Sequence, residues 1–593
     1  MRSFFPWLSV FALALSACVS PSPGPGAAGV ELATSGRSAY VIVLPAKAAQ
    51  AERHAAEELQ RYVADISGAR LPIVDDATPA AACEIRLGAA RGAAPDAAAL
   101  GAEGFRLRTQ SGTLTIAGGS PRGTLYGVYA LLEEQLGCRW FAPDAARIPH
   151  QATLRLPALD RSDRPRFEYR EPQGVFGRDA GWAARNRVNS GAPLSAAEGG
   201  AVRYVPGYFV HTAGKLVPPS VWFAGHPEYY ALVKGVRKTS QLCLTHPQVR
   251  AIALEEARRQ LRQHPESDVI SVSQNDGGGW CQCPACQAVV DREGSQAGPV
   301  LEFANFIAAG LREEFPSKAV DTLAYYYSEK PSKSLRPLPN VIVRLCSYGC
   351  CSSHPLDTCD SAESKRFRDN LAGWNNLTHR IWIWDYTVNY AHFLQPFPNL
   401  ETLQPNMRYF AAHGVSGVFE EGDYMNNGGE LQELRLYLLA KLLWNPDCDV
   451  AAAQADFLAG YYGAAAPDLA AYVRLTHAAA AAPGIHVGLY DPPTARYLTP
   501  EVCTKAEVLF DRAEAAASGN PDCLRHVRAA RLGVDYVLLA TWKPGGLPKP
   551  ELDRLAARFL SNAGAAGVKT VHESPRMTPA EFVGKVLKRA AAQ

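Results

Sequence analysis

The sequence predicts an α/β protein with three parts: a small α/β N-terminal domain, a central (β/α)8 TIM-like barrel and a helical C-terminal domain. Three observations predict it. Short strands mix with two amphipathic helices before residue 158. Between residues 159 and 450, eight extended segments alternate with helices or loops, the rhythm of a parallel barrel. From 451 to 593, Ala/Leu-rich helical patterns carry almost no strand signal. A chain of 593 residues also exceeds what one core can organise.

The N-terminus reads as a targeting segment. Arg2 precedes an apolar run from Phe4 to Leu15, then Leu15-Ser16-Ala17-Cys18. The run is too short to span a bilayer stably. Its ending resembles the bacterial lipoprotein signal, in which Cys18 becomes the lipidated first mature residue. Residues 19–29 form a Pro/Gly/Ser tether. The expected location is the cell envelope, with membrane contact only through the anchor. A formal charge of +2 provides no basic field for nucleic acid. Ten Trp and 24 Tyr supply flat amphipathic rings suited to sugar faces, though most serve the core.

Residues 30–158 form the first expected domain. Tyr40–Leu44 is a strand, and Ala48–Ile66 a helix with Ala55, Leu59, Tyr62 and Ile66 on one face. Strands follow at 85–88, 104–108 and 113–117, then a helix from Arg122 to Leu136. In the barrel the expected strands are 167–170, 203–210, 241–244, 268–274, 320–327, 341–347, 380–385 and 415–420. Helices are expected between them, as at Pro247–Gln263 and Leu400–His413.

Barrel enzymes build their sites at strand C-termini. Asp276 ends the fourth expected strand, Asp385 the seventh, and Glu420 and Glu421 the eighth. Carboxyl groups gathered at such ends suit general acid/base chemistry, one donating a proton while another accepts one or attacks. These four are the candidate catalytic residues; analogy with related barrels, whose acid commonly sits at the end of the fourth strand, favours Asp276 as acid and one of the others as base or nucleophile. Candidate sugar-binding residues are Asn275, Trp280, Tyr325, Tyr326, Trp384, Tyr386, His211 and Arg170. Strand alternation puts Trp382 and Trp384 on one face and Asp385 on the other, unless the strand has already ended.

Thirteen cysteines remain beyond Cys18. Cys281-x-Cys283-x-x-Cys286 follows Asp276 directly. It suits a structural zinc, with a fourth ligand from Cys243, Cys346, Cys350 or Cys351, or disulfides with the same partners. Either would staple the loop after Asp276. Catalysis itself requires no cofactor on this reading.

Two resemblances sharpen the expectation. The phrases AAEELQRYVADISGARLPI and RGTLYGVYALLEEQLGCRWFAPD resemble the accessory N-terminal domain of alpha-glucuronidases and family 20 hexosaminidases. HPEYYALVKGVR, QLCLTHPQV, SVSQND, LEFANFIA, GVSGVFEEG and LRLYLLAKLLWNP resemble a bacterial family known as domain of unknown function 4838. The resemblance implies an exported glycoside hydrolase acting on a polysaccharide or glycan fragment. Family 20 hexosaminidases carry Asp-Glu where this chain has Asn275-Asp276, which puts their acetamido-assisted mechanism in doubt here. Alpha-glucuronidases use a Glu acid with an Asp and Glu base pair; Asp385 and Glu420 or Glu421 match the latter two. Two alternatives remain: a non-catalytic carbohydrate-binding lipoprotein, and a lyase acting on uronic acids through a base such as Tyr325, Tyr326 or His211. The sequence leaves the oligomeric state open.

Overall fold

The computed structural model describes residues 29–93, 96–544 and 546–591. Cys18, the signal segment and tether residues 19–28 lie outside them. The N-terminal domain is a six-stranded mixed sheet ordered Asp160–Asp163, Phe105–Gln110, Thr113–Gly118, Glu84–Leu87, Val41–Leu44 and Ile73–Asp75. Its edge strand comes from just beyond residue 158. Helix Gln50–Ser67 buries the expected face, Ala55, Leu59, Tyr62 and Ile66. Helix Pro121–Ala130 packs beside it. A Cβ at Gly127 would lie 2.8 Å from the Ile116 side chain, so glycine permits this close helix–sheet approach.

The central sheet has six parallel strands. In chain order they are β1 (Tyr169–Pro172), β2 (Val269–Ser271), β3 (Ala319–Ala324), β4 (Val341–Cys346), β5 (Ile381–Tyr386) and β6 (Gly417–Glu421). Around the curl they run β1-β6-β5-β4-β3-β2. The β-branched and apolar runs of β3 and β4 are buried throughout, as strands covered on both faces must be.

Two of the eight expected strands do not join this ladder. Segment 203–210 makes only one bridge, Tyr204 to Val269. Pro206 and Gly207 explain this. Tyr208 N–H donates to the Val205 carbonyl at 2.8 Å, and Gly207 has φ +79°, so the chain turns where a strand would continue. Segment 241–244 belongs instead to an antiparallel hairpin, Tyr230–Val233 with Val236–Leu242. Val236, Lys238, Thr239 and Ser240 are exposed, which no interior barrel strand tolerates. The gap between β1 and β2 is spanned by irregular chain. Asn189 N–H donates to the Arg170 carbonyl (3.4 Å), Val202 N–H to Asn189 (2.8 Å), and Ser271 N–H to Tyr208 (3.0 Å).

Alternation along the strands sorts side chains. Tyr169, Leu323, Ile342, Trp382, Trp384 and Phe419 point into the lumen and pack together. Arg344 and Asp321 join them as a fully buried ion pair, Nε to Oδ2 2.8 Å. The guanidinium lies 4.5 Å from the Phe209 ring centre and 4.9 Å from that of Trp384. It also donates to the Phe209 carbonyl.

After the barrel, helices Val450–Tyr462, Ala466–Ala480, Pro500–Ala517, Pro521–Ala540, Lys549–Ala566 and Pro579–Ala591 form the helical part. A separate core including Leu489, Tyr536, Phe559 and Phe582 packs it against barrel-loop residues Val388, Phe393 and Phe397. Among the described residues, no helix is long and apolar enough to cross a membrane.

Removing one member of the lumen pair strands a buried charge. Arg344→Met is expected to cost ~3–5 kcal/mol, whereas an apolar replacement of both Arg344 and Asp321 recovers much of that loss. Urea unfolding of the two variants measures both.

Candidate active site

At the C-terminal mouth of β3–β6 lies a cavity of about 270 Å³. Its lining includes Asp276, Glu421, Glu573, His211 and the rings of Tyr325, Tyr348, Trp384, Tyr386, Tyr390 and Tyr490. Of the expected site residues it therefore gathers Asp276, Glu421, His211, Tyr325, Trp384 and Tyr386.

Glu421 ends β6 with its side chain toward the lumen. Trp384 Nε1–H donates to its Oε2 at 2.7 Å. Burial pushes the carboxyl up to about 7, and the nearby Glu573 carboxylate adds to the rise; the Trp384 hydrogen bond opposes it. The backbone is held as firmly. The Glu421 carbonyl accepts from the Thr387 hydroxyl at 2.8 Å and the Tyr390 hydroxyl at 3.0 Å.

Asp276 lines the same cavity from the loop after β2, with its side chain 69% exposed. The Tyr325 hydroxyl donates to Asp276 Oδ1 at 3.3 Å, and His211 Nε2 lies 4.0 Å from the same oxygen. His211 Nδ1 sits 2.9 Å from the Gln274 carbonyl, so a proton there leaves Nε2 turned to the cavity. The His211 backbone has φ +54°, a conformation costing ~1–3 kcal/mol that its surroundings must hold. The holding contacts are local: Thr212 Oγ1–H donates to the Ser271 carbonyl (2.9 Å) and Ala213 N–H to Ser273 (3.0 Å).

Six expected residues fall elsewhere. Asp385 and Glu420 point to the outer face of the sheet, because each precedes or follows a lumen-facing neighbour by one residue. Glu420 is buried and Asp385 half-buried, and burial raises both carboxyls, Glu420 further through Asp385. Asp385 accepts from the Ser347 hydroxyl and the Tyr386 N–H. Arg170 is fully buried against the N-terminal domain, where its Nη1 meets Glu103 at 2.7 Å; it is a domain-docking residue. Asn275 holds backbone, accepting from Gly214 N–H (3.0 Å) and donating to the Ser240 carbonyl (2.9 Å). Trp280 packs on Tyr327, ring centres 5.2 Å apart. Tyr326 is 53% exposed and lies outside the cavity lining.

Four lining residues escape strand-end reasoning. Tyr348 and Tyr390 lie in loops beyond β4 and β5. Tyr490 and Glu573 come from loops of the helical part. Glu573 is stitched in place: its N–H donates to the Tyr390 carbonyl (3.0 Å), and its Oε1 accepts from the Tyr424 hydroxyl (2.8 Å). No local signal marks it; only the docking of the C-terminal part brings it there.

Beside the site, the Sγ atoms of Cys243, Cys281, Cys283 and Cys286 all lie within 4.8 Å of one another. Cys243 is the fourth member; Cys346, Cys350 and Cys351 lie elsewhere. The cluster joins the 230–242 hairpin to helix Pro284–Glu293. Gln282 N–H donates to the Leu232 carbonyl at 2.8 Å, completing the seam.

Comparison with known proteins gives the following. The family model described as Domain of unknown function (DUF4838) matches residues 140–474. That for Glycosyl hydrolase family 20, domain 2, matches residues 29–136. No match to a curated protein sequence was found. Among solved structures, the chain is similar to BtGH115A, a family GH115 4-O-methyl-alpha-glucuronidase with specificity for decorated arabinogalactans. Identity is 13% and TM-score 0.59, over 94% of this chain and 80% of that one. It also aligns with Streptomyces plicatus N-acetyl-beta-hexosaminidase at 15% identity and TM-score 0.43, over 74% and 92% of the two chains. CpGH84D aligns at 10% identity and TM-score 0.47, over 96% and 98%. With more than half of its length matched by one family model, the chain belongs to the DUF4838 family.

Proposed function

We propose that the protein is an exported, lipid-anchored glycoside hydrolase that cleaves a glycosidic bond in a polysaccharide or glycan fragment. One observation carries this reading: Glu421, raised to about 7, shares an aromatic-lined cavity with the Asp276 carboxylate. A carboxyl that keeps its proton near neutrality is what a leaving oxygen needs. Glu421 is therefore the general acid, and Asp276 the base or nucleophile across the ring. This reverses the roles expected by analogy with related barrels. His211 and Tyr325 hold Asp276 in position, and Trp384 orients the Glu421 carboxyl. The tyrosines provide stacking faces and hydroxyls for a sugar.

The lining also bears on the substrate. It holds three carboxylates and, among the described residues, no lysine or arginine. A uronic acid bound here would have no guanidinium fork to meet its carboxylate. The reading is therefore hydrolysis of a neutral sugar rather than uronic-acid lysis. Screening the purified protein against neutral and uronic aryl glycosides and glycans tests it. Binding without product release supports simple capture instead, and a new double bond absorbing in the near ultraviolet supports a lyase.

Strand parity separates adjacent residues. Glu421→Gln and Asp276→Asn are expected to lower kcat/KM by ~10²–10⁴-fold. Glu420→Gln should stay close to wild type, since that side chain faces away. Equal losses at 420 and 421 would exclude the assignment.

The acid role also sets a pH dependence. Glu421 must be protonated to donate, so kcat/KM should fall as pH rises through about 7. Trp384→Phe removes a hydrogen bond that favours the carboxylate, so this alkaline limb should move to higher pH. The free-enzyme kcat/KM profile reads both.

The four clustered thiols suit a structural zinc. Zn–S bonds of ~2.3 Å give tetrahedral S···S edges of ~3.8 Å, and Cys243 Sγ lies 3.6 Å from Cys283 and 3.9 Å from Cys286. A disulfide would require ~2.05 Å. Bound zinc would hold the loop that carries Asp276, without entering the chemistry. Chelation is expected to release about one zinc from this site with four newly titratable thiols, measured by metal analysis and thiol counting. Cys283→Ser should lose that zinc.

A further inference from the structure

A second cluster lies on the other side of the barrel mouth. Cys351, His354 and Cys359 sit in the loop between β4 and helix Ala362–Asn375. His486 comes from the helical part, in the loop after helix Ala466–Ala480. One ligand atom from each of the four lies within 4.8 Å of all the others. We propose that these residues form a Cys2His2 zinc site that clamps the C-terminal part onto the barrel loop.

The geometry suits that ion. Zn–S of ~2.3 Å and Zn–N of ~2.0–2.1 Å give tetrahedral S···N edges of ~3.6 Å. Cys351 Sγ lies 3.3 Å from His354 Nδ1, and Cys359 Sγ 3.8 Å from His486 Nδ1. Three ligands fall within nine residues of one loop, as Cys-x2-His-x4-Cys. Both cysteines are buried, while the histidines reach the surface. A second feature points the same way. His486 turns Nδ1 to the cluster and Nε2 to the Asp360 carboxylate, 3.4 Å away. A carboxylate behind a ligating imidazole fixes its tautomer and strengthens it as a donor. The two imidazole rings stand 5.2 Å apart at 62°, converging without stacking.

The position gives the clamp a consequence. Ser352 N–H donates to the Val487 carbonyl (2.9 Å), and Tyr390 N–H to the Leu489 carbonyl (2.9 Å). This short stretch then delivers Tyr490 into the cavity, four residues after His486. The ion would tie down the chain that places an aromatic wall of the site. It adds a cross-link between loops far apart in sequence, where a constraint on the unfolded chain is worth most.

The test uses the full chain, purified under reducing conditions and loaded with zinc alone. The His354→Ala/His486→Ala variant is compared with wild type by elemental analysis. Both histidines lie at or near the surface, and circular dichroism checks the fold. Wild type should carry one zinc per chain more than the variant, whatever the Cys243–Cys286 cluster holds. Cobalt substitution should show tetrahedral d–d absorption that the variant loses in part. Zinc removal should also open the 482–492 loop to limited proteolysis in wild type. Equal zinc content in the two proteins overturns the site. So does a Cys351–Cys359 disulfide recovered by peptide mapping of the unreduced, zinc-loaded wild type.

Discussion

The buried pair of Arg344 and Asp321 is the interaction on which the barrel depends. Six strands do not close a barrel, and the gap between β1 and β2 exposes backbone that must find partners. Arg344 reaches across the lumen to the Phe209 carbonyl in the segment that spans this gap, and Tyr204 from the same segment donates to Asp321. One guanidinium thus ties β3, β4 and the irregular wall together. It also lies beneath Trp384, so the floor of the cavity rests on it. Burial raises the Asp321 carboxyl even with the arginine alongside. The desolvation cost is real, and the surrounding rings and hydrogen bonds offset it.

Above that floor, strand parity decides which groups meet. Trp384, Tyr386 and Glu421 share the lumen because they lie on matching sides of paired strands. Asp385 and Glu420 share the outer layer for the same reason. A one-residue difference separates a carboxyl that can meet a ligand from one turned into the layer behind the sheet. The aromatic frame then completes the electrostatics. It half-buries Glu421 while leaving Asp276 open to solvent, so two carboxyls in one cavity sit in unlike surroundings.

Much of this was legible in the sequence. The N-terminal helices and strands, the parallel ladder and the helical C-terminal part follow from periodicities of 3.6 and 2 and from breaks at Gly and Pro. Strand-end position points to Asp276, Glu421, Trp384 and Tyr386, and all four line the cavity. The cysteine run announced a cluster, and Cys243 was among the proposed fourth members. Other readings failed for identifiable reasons. Pro206-Gly207 turns a stretch whose composition otherwise reads as strand. Arg170 is buried because the N-terminal domain covers it and supplies Glu103 as its partner, and single-segment reasoning does not see that cover.

By itself, then, the sequence determined the elements, their order and the residue types at the ends of the parallel strands, since these depend on local periodicity and turn chemistry. Tertiary structure alone decided three things. It chose Glu421 over its neighbours, because the face of a strand is set by pairing register. It brought Glu573 and Tyr490 to the cavity from more than sixty residues beyond the last barrel strand, because docking of the helical part is a long-range packing event. And it gathered His486 with Cys351, His354 and Cys359, because ligands distant in sequence converge only when two packed surfaces meet.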